Sequence, residues 1–166
     1  KKLDLNKEEQ KRITHLISDL FEYRYSGKAS RGNIDEVEHP LTITCGPDDV
    51  RITVKFGNVF NVISSTNHEL GHAIHKLNKN EKWNNLPVNN FGSPTQAEMI
   101  SRYTENKIGK SFAFNDWMLS NFKNRFSSKF DEITSSEYND FINLISPSTS
   151  RMNADEVSYG LHIIIR

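Results

Sequence analysis

A single cysteine, Cys45, is all the thiol this chain has, which rules out an intramolecular disulfide and leans toward a reducing compartment, so the cytoplasm is the expected location. Charge of one sign is lacking as well. With 21 basic and 21 acidic residues the formal net charge is zero, which removes the electrostatic case for nucleic acid or a membrane surface as a partner. No apolar run approaches the roughly 20 residues of a membrane-spanning helix, and Lys1-Lys2-Leu3-Asp4 opens no signal-peptide core. Internal repeats and low-complexity tracts are missing too. What remains is 166 residues with 36% apolar content, enough for one soluble domain with a real core. The start lacks Met, and the end falls inside the apolar helical pattern Leu161-His162-Ile163-Ile164-Ile165-Arg166 without a capping Gly, Asn or Pro, so we read the chain as an excised part of something longer.

Periodicity organises the interior. Asn6 followed by Glu9 makes an N-cap with its reciprocal partner, and Ile13, Leu16, Ile17, Leu20 and Phe21 form the buried stripe of a first helix, on which His15 is structural. Ser26 to Glu38 is polar and glycine-punctuated and reads as a loop. Leu41 to Cys45 and Val50 to Phe56 are β-branched runs flanking Gly46-Pro47-Asp48-Asp49, the pattern of a short antiparallel hairpin. Val59, Phe60, Val62, Ile63, Leu70, Ala73, Ile74 and Leu77 recur at three and four residues, giving a helix with one buried side. Asn78 to Gly92 reads as a loop packed down by Trp83. Ser93 as N-cap, Pro94 in the first turn and Gln96 closing a capping box start another helix, with Glu98, Arg102 and Glu105 on one face. Asn115 to Phe130, Ser135 to Ile145 and Asn153 to Arg166 are three further helical patterns.

The second of these helices carries His68-Glu69-Leu70-Gly71-His72. At this spacing both imidazoles lie one turn apart on one face and can reach one tetrahedral Zn²⁺, with Glu69 beside the position where the ion would activate water. The chemistry is hydrolytic: the metal brings a water's pKa toward neutrality and a carboxylate takes the proton. Two histidines on a half-buried helix also make ordinary hydrogen bonds, and that reading competes until a third ligand is found. Glu98, on the following helix, is in the right place; on spacing alone Glu105 serves as well.

The stretch from His39 onward resembles the thermostable carboxypeptidase Taq family of metallocarboxypeptidases. His39-Pro40-Leu41 is similar to the family's His-Pro-Phe motif, Asp49-Val50-Arg51-Ile52-Thr53 matches its DxRxT element, and His68 to His72 matches HExxH. Ser101-Arg102-Tyr103-Thr104-Glu105-Asn106 resembles the segment after the third-ligand motif, and Arg151-Met152-Asn153-Ala154-Asp155 matches RxxAD. This alignment puts Glu98 on the family's metal-binding glutamate. Departures accompany the matches: the family's His-Glu-Ser/Gly-Gln is Ala97-Glu98-Met99-Ile100 here, and the later GxxQDxHW element lies beyond the chain's end. Loss of such polar neighbours can cost ten- to a hundredfold in affinity or activity.

The resemblance implies a mainly α, zincin-like metallopeptidase fragment with a small antiparallel β-hairpin or sheet near the HExxH helix. It divides into an N-terminal helix and loop over 1–38 and a motif-bearing core over 39–166. It further implies zinc held by His68, His72 and Glu98, with Co²⁺ able to occupy such an N/O site, and a homodimeric full-length enzyme that removes C-terminal residues from peptides. Glu69 is the general base. Holding a free carboxylate calls for a guanidinium, and Arg51 and Arg151 are the candidates; their alternative is ion pairing with Asp49 or Asp155. On the last helical pattern Arg151, Asp155, Tyr159, His162 and Arg166 form a polar stripe, from which Tyr159 or His162 could donate to a developing oxyanion. His75 is read as a non-ligand. Two rivals remain: a degenerate relative that binds metal without turnover, and a related helical zinc endopeptidase.

Overall fold

The computed structural model describes residues 5–83, 86–87, 93–126 and 130–144. Helix α1 (Lys7–Leu20) is followed by strands β1 (Ile34–Glu36), β2 (Thr42–Gly46) and β3 (Asp49–Val54). Then come α2 (Val59–Leu77), a 3₁₀ turn at Glu81–Trp83, α3 (Pro94–Arg102), a π-helical turn at Tyr103–Ile108, α4 (Phe112–Phe126) and α5 (Ser135–Ile142). The architecture is mainly helical with a small sheet, as expected.

The capping box of α1 is present: Asn6 Oδ1 accepts from Glu9 N at 2.9 Å, and Asn6 N donates to the Glu9 carboxylate at 2.7 Å. Ile13 and Ile17 are fully buried and Leu16 and Phe21 pack on the core, but Leu20 is 47% exposed and drops out of the expected stripe. The α1 surface against the core includes Thr14 and Ser18, whose hydroxyls bond back to the carbonyls four residues earlier and so need no outside partner. Gln10 is buried as well. Its amide donates to the carbonyls of Leu5 and Gly57 and accepts from Gly57 N, fastening α1 to the chain just before α2.

Hairpin β2–β3 forms as the alternation predicts, in antiparallel register with a bulge between Thr44 and Gly46. Val50, Ile52 and Val54 are fully buried, each stabilising by about 1.5–3 kcal/mol. Arg51 faces outward between them. The loop expected over 26–38 contains a strand instead. β1 pairs with β3 in parallel, giving the order β1-β3-β2, so the sheet is mixed and β2 is one of its two edge strands, in contact with α2. Nothing in Ile34-Asp35-Glu36 alternates; the pairing is fixed by backbone bonds such as Val50 N to Arg31 O and Ile52 N to Asn33 O, both 3.0 Å.

Asn58 caps α2 by accepting from Phe60 N, and α2 forms the centre of the fold, contacting α1, β3, α3 and the π turn. Val62, Leu70 and Ala73 are fully buried along it. Trp83 corrects the expectation of a loop packed down by its aromatic: it is 46% exposed. Helix α4 begins at Phe112, three residues before the expected start, because Ser111 Oγ accepts from Phe114 N and caps it there. Among the described residues, no helix is long and apolar enough to cross a membrane.

Candidate metal centre

His68 and His72 stand one turn apart in the middle of α2, their rings 5.0 Å between centroids and nearly perpendicular. What brings a third ligand to them is the packing of α3. Ser93 Oγ accepts from Gln96 N and Pro94 opens the helix, as the sequence predicts, but the cap is one-sided and the Gln96 side chain does not close the expected capping box. Gly71, between the two histidines, lets α3 and the π turn approach: a Cβ there would lie 2.1 Å from Thr104 Oγ1 and 2.8 Å from Ser101 Cα. With the helices this close, Glu98 reaches both imidazoles.

His68 Nε2 lies 3.5 Å from Glu98 Oε1 and His72 Nε2 lies 3.4 Å from Glu98 Oε2. Ligands bonded at about 2.0–2.1 Å to a tetrahedral ion stand about 3.4 Å apart, so this spacing fits a divalent ion. Donor atoms of the three residues all lie within 4.8 Å of one another, and this is the one such group of His, Cys, Asp or Glu among the described residues. Two imidazoles and a carboxylate leave a coordination position open and suit a borderline-soft ion. His75 is not in the group.

Glu69 is buried at 6% exposure on the neighbouring face of α2. Thr42 on β2 donates to its Oε2 at 2.6 Å, and Lys76 Nζ reaches the Thr42 carbonyl at 3.5 Å. The edge strand thus holds the acid that the motif supplies. Glu105 lies on the opposite side of His68. Its carboxylate accepts from Ser64 Oγ at 2.5 Å and from Arg102 Nη1 at 2.8 Å, and it meets His68 Nδ1 at 3.0 Å. Glu105 is therefore not an alternative third ligand but a partner of the first. Burial works against charge on both groups, yet their pairing outweighs it. The His68 imidazole is raised above its usual range by Glu105 and the charges of Glu98 and Glu69, while Glu105 is held far below the usual carboxylate range by His68, Ser64 and Arg102.

Thr42, Ser64 and Glu105's role were not read from the sequence. Only the last left a signal, a carboxylate seven residues after Glu98 on the same helical face. Arg51 pairs with its neighbour on the strand: its Nε and Nη2 bond the Asp49 carboxylate at 3.0 and 2.7 Å on the exposed side of β3. That is the ion-pair alternative the sequence left open. Arg151, Tyr159 and His162 lie outside the described residues. Of the residues that depart from the third-ligand motif, Met99 is 64% exposed while Ala97 and Ile100 are partly buried.

The chain is similar in sequence and fold to known carboxypeptidases. Thermostable carboxypeptidase 1 of Thermus thermophilus is 34% identical over 144 residues, taking in 81% of this chain and 27% of that protein. Carboxypeptidase 1 of Bacillus subtilis is 32% identical over 162 residues, 96% of this chain and 32% of its own length. The M32 carboxypeptidase structure from Deinococcus radiodurans R1 superposes with a TM-score of 0.87 at 28% identity, covering 98% of this chain and 32% of that one. The chain thus spans about a third of the length of the relatives it matches. The family model "Carboxypeptidase Taq (M32) metallopeptidase" matches residues 1–166, and the chain belongs to that family.

Proposed function

We propose that the protein carrying this chain is a zinc-dependent carboxypeptidase that removes residues from the free C-terminus of peptides. One observation carries the reading: the imidazoles of His68 and His72 and the carboxylate of Glu98 converge at ligand spacing, with Glu69 buried beside them. His68, His72 and Glu98 would hold the ion. Bound there, a divalent ion polarises the scissile carbonyl and lowers the pKa of water.

The chain's own residues do the rest. Glu69 takes a proton from the attacking water as the C–O bond forms and charge moves onto the carbonyl oxygen, then delivers that proton to the amine as the C–N bond breaks and the carbonyl re-forms, so no proton is left unaccounted for. Thr42, by donating to Glu69 Oε2, fixes the carboxylate's rotamer and leaves Oε1 for this transfer. Arg51, whose exposed side chain pairs with Asp49 in this structure, and Arg151 are the two guanidinium candidates for the substrate's terminal carboxylate, and Tyr159 or His162 is the candidate donor for the growing oxyanion.

The test is hydrolysis by the full-length, metal-supplied protein of one peptide with free and with amidated C-termini. Release of the terminal residue from the free form alone supports this reading. Equal cleavage of both forms replaces it with an endopeptidase, and no cleavage of either by protein that holds its ion replaces it with a metal-binding relative without turnover, the reading that Met99 and Ile100 favour.

A further inference from the structure

Glu105 is 9% exposed and belongs to none of the three ligands, yet three donors converge on it. A buried carboxylate with this many partners is oriented for something. Ser64 and His68 are one turn apart on α2, so the same helix face that offers the imidazole also offers a hydroxyl to grip Glu105 Oε1. Arg102 grips Oε2 and balances its charge.

The backbone is shaped to bring the carboxylate there. After Arg102 the helix that supplies Glu98 widens into the π turn at Tyr103–Ile108, closed by Gly109 N donating to Thr104 O at 2.8 Å. Gly109 admits this path, because a Cβ there would lie 2.7 Å from the Glu105 carbonyl and 3.1 Å from Asn67. Single π turns inside α-helices concentrate at functional sites. The result is an imidazole held between two carboxylates of one continuous helical segment, Nε2 toward Glu98 and Nδ1 toward Glu105.

We infer that Glu105 is a positioning residue for the metal centre: it accepts the Nδ1 proton of His68, which fixes the tautomer and ring plane and presents the bare Nε2 to the ion. The inference rests on the reading of His68, His72 and Glu98 as ligands and adds to it the group that orients the first of them. A carboxylate behind a ligating imidazole also makes the ring a better donor. Removing it frees the ring to turn and to place its proton on Nε2, where no ion can bind.

The experiment is a chelator-competition titration of the full-length protein with Zn²⁺, comparing wild type, Glu105→Gln and Ser64→Ala, with circular dichroism and thermal melting of the metal-free forms alongside. Glu105→Gln keeps shape and removes charge, and its Zn²⁺ affinity is expected to fall ten- to a hundredfold. Ser64→Ala frees one carboxylate oxygen and should weaken binding about fivefold. The visible absorption of the Co²⁺-loaded Glu105→Gln variant should also shift. A merely structural ion pair would lower the melting temperature and leave affinity and spectrum as they are, and affinity within twofold of wild type in folded Glu105→Gln overturns the inference while leaving the ligand assignment standing. Should Glu105→Gln not fold, Ser64→Ala decides in the same way. A wild-type protein that binds no metal would bring down both this inference and the function on which it rests.

Discussion

Glu69 and Thr42 show how one side chain is given a role by another 27 residues earlier in the chain. Replacing Glu69 by Gln preserves volume and the hydrogen bond from Thr42 but removes the base, so kcat should fall about 10²–10⁴-fold. The protein should keep its full metal content, which measurement of bound ion together with initial rates will check. The pairing of His68 with Glu105 sets a pH dependence of the metal-free protein. His68 has its pKa raised above 6.5 in the fold, so its contribution to stability is present below that value and lost as pH rises through the folded pKa. Glu105 is depressed below 4.5, so its contribution is present above 4.5 and lost as pH falls. Metal-free protein should therefore melt highest between about pH 4.5 and 6.5 as far as this pair decides it. Metal binding, which competes with the His68 proton, should tighten as pH rises out of that window. Thermal melts and metal titrations across pH 4 to 9 read both. His68, Glu69 and His72 are legible in sequence because their relation is local, one helical turn. Thr42 and Ser64 are ordinary hydroxyl residues until the fold brings them to Glu69 and Glu105.

At the scale of elements, the site is a consequence of how closely α3 approaches α2. Gly71→Ala would force the Cβ into Ser101 Cα and the Thr104 hydroxyl, costing about 1–3 kcal/mol as an overpacked core position does. Because the strain is relieved by moving α3, which carries Glu98, metal affinity should fall along with the melting temperature; a variant that loses stability but binds metal normally would show that α3 does not set the ligand spacing. The same scale explains what the sequence could and could not disclose. Caps at Asn6 and Ser93 and the alternation Val50, Ile52, Val54 are local signals, and the elements they mark are where they were expected. Strand β1 is three residues held by a parallel partner some 18 positions on, from Ile34 to Ile52, and has no pattern of its own. Trp83 was expected inside on hydrophobicity alone, but hydrophobic residues are common on surfaces, and it sits in a 3₁₀ turn whose described residues are exposed.

For the molecule as a whole, an ion held by His68 and His72 of α2 and Glu98 of α3 would tie together two elements already packed against each other. Any ligand that binds only the folded state adds RT ln(1 + [L]/Kd), about 4 kcal/mol at a thousandfold excess over Kd. Chelation should therefore lower the melting temperature by several degrees and re-addition of Zn²⁺ should restore it. Family membership, through five ordered motifs, is the most legible property of the chain, and in the sequence it alone distinguishes Glu98 from Glu105 as the third ligand. The most direct test of the account is the metal content of the purified full-length protein and its Glu98→Ala variant after dialysis against limiting Zn²⁺. One ion per chain in the wild type and near none in the variant is the predicted result; equal, tightly held zinc in both would contradict the claim that Glu98 completes the centre with His68 and His72.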